Sequence, residues 1–259
     1  MSKTALLTLI TLAAITAHAQ KLPNVQKESV RAPANIKIDG KATEWDNKFK
    51  AQNSATDLFY TISNDDENLY LTMQTKLRDI SGKIMRGGIS VNINPTLSKK
   101  TGGQISFTYP SLDRDGVSRL TNMIGLTDKD NVDATPGAQL VTIDDLNKAF
   151  VSKAKVMDIS GIKVIKTAEI PIYNENGIQV AARFDENFAY TYELAIPLKY
   201  LSLPDNGTNA FSYQIKVNEP KQNRAKFDGN GPPPPPPPPM MRTVAATTDF
   251  WGEYTLAKK

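Results

Sequence analysis

Leu58-Phe-Tyr-Thr-Ile62, Ser63-Asn-Asp-Asp-Glu-Asn68, Leu69-Tyr-Leu-Thr-Met-Gln-Thr75 is the stretch whose reading decides the fold. In an extended chain successive side chains point to opposite faces, so Leu58, Tyr60 and Ile62 share one side of the first segment. Leu69, Leu71, Met73 and Thr75 share one side of the second, with Leu77 continuing the pattern. The polar hexapeptide between them is a strong turn signal, and the whole reads as an antiparallel hairpin with one apolar face.

The same alternation recurs along the chain. Ile89, Val91 and Ile93 alternate with Ser90, Asn92 and Asn94 until Pro95; Ile105, Phe107 and Tyr109 follow and stop at Pro110. Ile36–Ile38 and Lys163–Ile172 are strand-prone. Ile178–Phe184, Tyr190–Leu198 and Phe211–Val217 each carry an apolar face. Short helices are expected over Asp79–Arg86 and Ile143–Phe150, the second opening on a capping pattern from Thr142 to Asp145. Residues 111–141, rich in Asp, Gly, Thr and Asn, read as a long excursion. No internal repeat is visible. Amphipathic strands without regularly interposed helices predict an all-β antiparallel sandwich, jelly-roll-like, with long loops and one or two short helices.

The ends carry signals of a different kind. Lys3, the apolar stretch Ala5–Ile15 and Ala17-His18-Ala19 before Gln20 have the three parts of a secretory signal peptide, with cleavage after Ala19. The apolar stretch is shorter than the roughly 20 residues a spanning helix requires, and no later stretch reaches that length. The chain is therefore expected to be exported, to the periplasm, outer surface or medium, with no integral membrane segment after cleavage. Residues 20–35 read as a loose or edge-forming extension, and 36–259 as one sandwich domain. Within it, 218–248 form a long loop containing the eight prolines Pro232–Pro239, which favour an extended polyproline helix. Asp249–Leu256 is then a last strand returning to the sheet.

Removing residues 1–19 takes away Lys3 and leaves 30 basic against 27 acidic residues. A net charge of +3, with no long Lys/Arg run, gives no footprint for nucleic acid. His18 is the sole histidine and cysteine is absent, so the processed chain lacks imidazole and thiol. That excludes His-dependent triads, thiol nucleophiles and Cys- or His-ligated zinc or haem. Oxygen-ligated calcium stays open, with Asp39, Glu44 and Asp46 as one candidate cluster and Asp65, Asp66 and Glu67 as another. Trp45 and Trp251, the two tryptophans, and Tyr70, which falls on the polar side of its strand, are candidate surfaces for stacking against a sugar ring. Tyr190 and Tyr192 share a face with Leu194 and Ile196 and are expected in the core. Glu193, between Tyr192 and Leu194, is expected on the opposite face.

Several motifs together resemble the carbohydrate-binding module family 9-like domains of secreted bacterial proteins. Ile36-Lys-Ile-Asp-Gly-Lys-Ala-Thr-Glu-Trp45 is similar to that family's opening pattern, the hairpin of residues 57–72 to its paired strands, and Tyr192-Glu-Leu-Ala-Ile-Pro197 to its late strand. Phe250-Trp-Gly-Glu-Tyr254 and Gly87-Gly88-Ile-Ser-Val-Asn-Ile-Asn-Pro95 resemble segments of uncharacterised secreted proteins of Bacteroidetes type. The resemblance implies a β-sandwich, often with structural calcium, and a sugar held by aromatics; related haem-binding electron carriers would need unusual ligation, with no histidine in the processed chain. The leading expectation is non-catalytic binding of a polysaccharide or oligosaccharide. The alternatives are a structural or protein-interaction domain without a sugar site and, more distantly, a carboxylate-based glycoside hydrolase.

Overall fold

The computed structural model describes residues 21–100, 102, 104–126, 140–203, 209–220 and 246–259. The expected signal segment (1–19) and the proline run (232–239) lie outside these residues. Two antiparallel sheets face each other across one hydrophobic core. The five-stranded sheet has the order β1 (Ala51–Asn53), β2 (Leu58–Asn64), β3 (Asn68–Thr75), β9 (Tyr190–Pro197), β8 (Gln179–Phe184). The six-stranded sheet runs β11 (Thr248–Thr255), β10 (Ala210–Val217), β4 (Ile89–Asn94), β5 (Ile105–Tyr109), β6 (Val156–Ser160), β7 (Glu169–Pro171). The predicted hairpin is present, with Thr61 opposite Thr72 and Ile62 opposite Leu71. Its alternation places Tyr60, Leu71, Met73, Tyr192 and Leu194 inward, where they meet Phe107, Tyr213 and Ile215 of the other sheet in the core. The two sheets are also joined by a polar contact, because the Tyr60 and Tyr213 hydroxyls lie 3.0 Å apart inside that core.

Three helices accompany the sheets among the described residues: α1 (Arg78–Gly87), α2 (Arg114–Leu126) and α3 (Ile143–Lys153). The first and third match the sequence expectation. The Thr142 hydroxyl accepts the Asp145 N–H at 3.1 Å, which is the capping bond the pattern promised. Helix α2 lies at the start of the long excursion expected over 111–141, of which 127–139 fall outside the described residues. Its polar residues form the solvent face, while Leu120 and Ile124, spaced by four, are buried.

Three strand boundaries also differ. Ile36–Ile38 pairs with no strand; its alternation survives as two half-buried isoleucines flanking exposed Lys37. Lys163–Ile172 contributes only Glu169–Pro171, and the unforeseen Val156–Ser160 supplies its partner. Gly161 explains the break: it has φ +84°, and a Cβ there would sit 2.3 Å from the Gln104 carbonyl oxygen. The backbone turns at that point, with the Ile165 N–H bonded to the Ile162 carbonyl.

Residues 20–35, expected to lie loosely or to form an edge, strap the two sheets together as far as they are described. The Gln26 side chain acts as an extra strand, its amide donating to the Ile62 carbonyl and its carbonyl accepting the Ile62 N–H, both at 2.8 Å. Backbone groups of Val30 and Ala32 pair with Asn64, and the Tyr254 hydroxyl of β11 donates to the Val30 carbonyl. Asn64 binds Ala257 through both ends of its amide. Gln26→Ala would leave a buried N–H and C=O of β2 unsatisfied, and about 2 kcal/mol of stability should be lost. Urea denaturation of the two proteins measures this, with the m-value unchanged.

Candidate functional site

The outer face of the five-stranded sheet is built from the side chains that alternate away from the core. Thr61, Thr72, Glu193 and Ala181 form one row across β2, β3, β9 and β8, and Phe59, Gln74, Thr191 and Arg183 form the next. Glu193 is where the sequence reading put it, opposite the tyrosines, but it is fully buried rather than solvated. Its Oε2 accepts the backbone N–H groups of Asp39 and Gly40 at 3.0 and 2.9 Å. Thr72 lies 3.5 Å from Oε1. The Ile-Asp-Gly and Glu-x-x-Ile-Pro motifs, far apart in sequence, therefore meet here. Gly40 must be glycine: its φ is +79°, and a Cβ would come within 2.8 Å of the Ala182 carbonyl carbon. Burial pushes the Glu193 carboxyl up to about 7, outweighing the two backbone N–H groups that favour its charged form.

That docking holds the segment Gly40–Asn47, including a short 3-10 turn over Thr43–Trp45, against the sheet. Between this segment, the Gln74–Thr191–Arg183 row and the start of α3 lies an open cleft of about 450 Å³. Asn147 fixes α3 to the edge of β8 by donating to the Phe184 carbonyl at 2.8 Å and accepting its N–H at 2.9 Å. The β8–β9 turn closes the far wall, where Asp185 Oδ1 accepts the N–H groups of Asn187 and Ala189. Gln74 donates to Thr191 at 3.0 Å across the floor. The walls present the amides of Asn47, Asn187 and Gln74, the hydroxyls of Thr43 and Thr191, the cations Lys41 and Arg183, and the acids Asp144, Asp185 and Glu186.

The expected site residues do not converge on this cleft or on one another. Trp45 stands half-buried on the segment above the five-stranded sheet, its indole N–H without a partner among the described residues. Trp251 is half-buried on the outer side of β11, out of phase with the core residues Phe250 and Tyr254 and beside Gln214. The two tryptophans thus belong to opposite faces of the sandwich and cannot clamp one ring between them. Tyr70 does lie on the polar side of β3, but it is buried, and its hydroxyl donates to Asp65 at 2.7 Å. Burial and that bond push it up to about 12.

The carboxylates considered for calcium have local partners. Asp39 accepts the Lys41 N–H, Glu44 accepts the Thr43 hydroxyl, and Asp46 faces Lys48 at 3.9 Å. In the second cluster Asp65 closes the hairpin turn, accepting from Glu67 and Asn68, and Asp66 pairs with Arg31 and Lys259. Among the described residues no group of three or more acidic side chains gathers so as to hold a metal ion. The cleft residues Gln74, Asn147, Arg183 and Thr191 were not singled out by sequence. Each occupies an ordinary polar position, and only pairing across strands brings them together.

No family model matches the sequence, and no curated protein matches it. Among solved structures, a carbohydrate binding module family 9 (CBM9) from Caldicellulosiruptor kristjanssonii in complex with glucose aligns over 90% of this chain and 96% of its own, with 11% identity and a TM-score of 0.41. That likeness is loose, and the chemistry of the cleft stands on its own residues.

The Glu193 carboxyl has a testable signature. Its pKa is raised above the ordinary 4.5, so its protonated form favours the folded state. The contribution is full below pH 4.5 and is lost as pH rises through about 7. Glu193→Gln fixes the neutral form, so the stability of the variant relative to wild type should rise by roughly 3 kcal/mol between pH 5 and pH 8. Denaturation at a series of pH values checks this; a constant difference between the two proteins would contradict it.

Proposed function

We propose that this protein binds a saccharide without cleaving it, in the cleft between Gly40–Asn47, the Gln74–Thr191–Arg183 row and the start of α3. The observation that carries the reading is the convergence of side-chain amides, hydroxyls and one guanidinium in a single open cleft of sugar size. Amides and hydroxyls offer donors and acceptors together, and a guanidinium presents a planar fork of donors, which suits a ligand covered in hydroxyl groups. The nearly balanced charge of the walls, with Lys41 and Arg183 against Asp144, Asp185 and Glu186, suits a neutral ligand better than a polyanion. The motif resemblance to family 9-like domains points the same way.

Binding rather than hydrolysis follows from where the carboxyl groups stand. A glycosidase needs one carboxyl that holds its proton near neutral pH and a second, ionised one across the bond. Among the described residues the carboxyl with a raised pKa is Glu193, which lies beneath Asp39 and Gly40 and does not line the cleft. Asp144, which does line it, is held low by a hydrogen bond from Lys148 and by that residue's charge. Asp185 has one oxygen committed to its own turn.

Trp251 supports a second reading of the same function, with the saccharide on the outer face of the six-stranded sheet. There the partly exposed indole stands in a row with Gln214 and Asn92, whose amides are bonded to each other at 2.9 Å. Calorimetric titration of a broad panel of soluble glycans, with pull-down on insoluble ones, tests both readings. At least one glycan is expected to bind, and Arg183→Ala should weaken it about tenfold through loss of a charged hydrogen-bond donor. Loss of binding in Trp251→Ala with Arg183→Ala unaffected would move the site to the other face. No binding across the panel would leave the structural or protein-interaction role.

A further inference from the structure

Away from the cleft, a groove of about 570 Å³ runs past the start of α1 and the first residue of β11. It contains Lys83, a lysine only 2% exposed, whose ammonium donates to the Thr248 hydroxyl at 3.1 Å. Among the described residues no carboxylate stands within ion-pair distance of it. Asp79 lies four residues earlier on the same helix, the spacing from which an acid-to-lysine pair forms, yet the Lys83 side chain turns to Thr248 instead. A buried ammonium with one neutral hydrogen-bond partner is costly in this position, and an anion supplied from outside would offset that cost. Burial alone also lowers the Lys83 pKa, as expected of a cation lacking its counter-ion.

The groove limits which anion fits. Ile80 lines it, and Leu77, 49% exposed, leaves an apolar surface open beside the ammonium. Asp57 and Asp79 stand on its walls beside three cations, Lys83, Lys76 and Arg78, so one negative charge balances the groove and a second is favoured less. We propose that this groove binds a monocarboxylate carrying an apolar body, with the carboxylate paired to the Lys83 ammonium and the body laid against Leu77 and Ile80. The site is separate from the saccharide cleft and stands whether or not a glycan binds there.

Titration of the full chain with octanoate, octanol and inorganic phosphate, followed by calorimetry, tests the proposal. Octanoate should bind, with octanol and phosphate each at least about tenfold weaker, and Lys83→Met should weaken octanoate about tenfold or more. If Lys83→Met does not fold, reductive methylation of the wild-type chain read by mass spectrometry replaces it: saturating octanoate should slow modification of Lys83 several-fold relative to exposed Lys48. Absence of octanoate binding, phosphate binding as tightly as octanoate, unchanged affinity in Lys83→Met, or unprotected Lys83 would each overturn the assignment.

Discussion

The buried bond between Glu193 and the Asp39–Gly40 turn is the constraint on which the functional surface depends. A carboxyl enclosed on the outside of a sheet is costly unless its oxygens are satisfied. Here the satisfaction comes from two backbone N–H groups of the Asp39–Gly40 turn. The turn can approach so closely only because residue 40 has no side chain. The segment that follows, which forms a wall of the cleft and carries Trp45, is held at one end by this contact and at the other by Lys50, whose N–H is given to the Tyr60 carbonyl. The Ile-Asp-Gly and Glu-x-x-Ile-Pro motifs, distant in sequence, are thus halves of one contact.

Period-two alternation made most of the fold legible. The hairpin of residues 58–75 and strands β4, β5, β8, β9, β10 and β11 follow directly from which residues must face a core. Helix α2 was hidden because its sequence is mostly polar, with a glycine early in it, and its two buried anchors are too few to stand out. The β6–β7 pair was misplaced because Gly161 requires a left-handed backbone that composition alone does not reveal. The candidate site was legible only in fragments. Alternation put Glu193 and Tyr70 on the outer face correctly, but not that both would be covered, since covering depends on the 39–47 segment and on the hairpin's own turn. The cleft residues come from β3, β8, β9, α3 and two loops, and their pairing depends on strand order, which periodicity does not specify.

The interior is held together unusually by phenols. Tyr60 and Tyr213 bring their hydroxyls together at the centre of the sandwich, and the Tyr60 hydroxyl also accepts the Gln26 backbone N–H at 2.9 Å. The N-terminal strap, the five-stranded sheet and the six-stranded sheet therefore share one polar junction. At the other end of the core, Tyr109 donates to the Ala154 carbonyl, linking the six-stranded sheet to the end of α3. Tyrosine serves both purposes because its ring fills core volume while its hydroxyl reaches a neighbouring layer. With no cysteine available, these contacts do the tying that disulfides perform in many exported domains.

The sheets' outermost strands have a further consequence. A bare strand edge is a template on which another chain can add. The four terminal strands of the two sheets each carry an obstruction. The β1 edge gives its Gln52 N–H to the Pro23 carbonyl, and β8 has both backbone groups of Phe184 taken by Asn147. On β11 the Thr255 carbonyl accepts the Ser29 hydroxyl, and β7 is three residues long and ends in Pro171, which has no N–H and whose carbonyl accepts from Asn174. Such edges oppose runaway polymerisation by strand addition. They also steer recognition toward the faces and grooves of the sandwich, where side chains rather than backbone do the selecting.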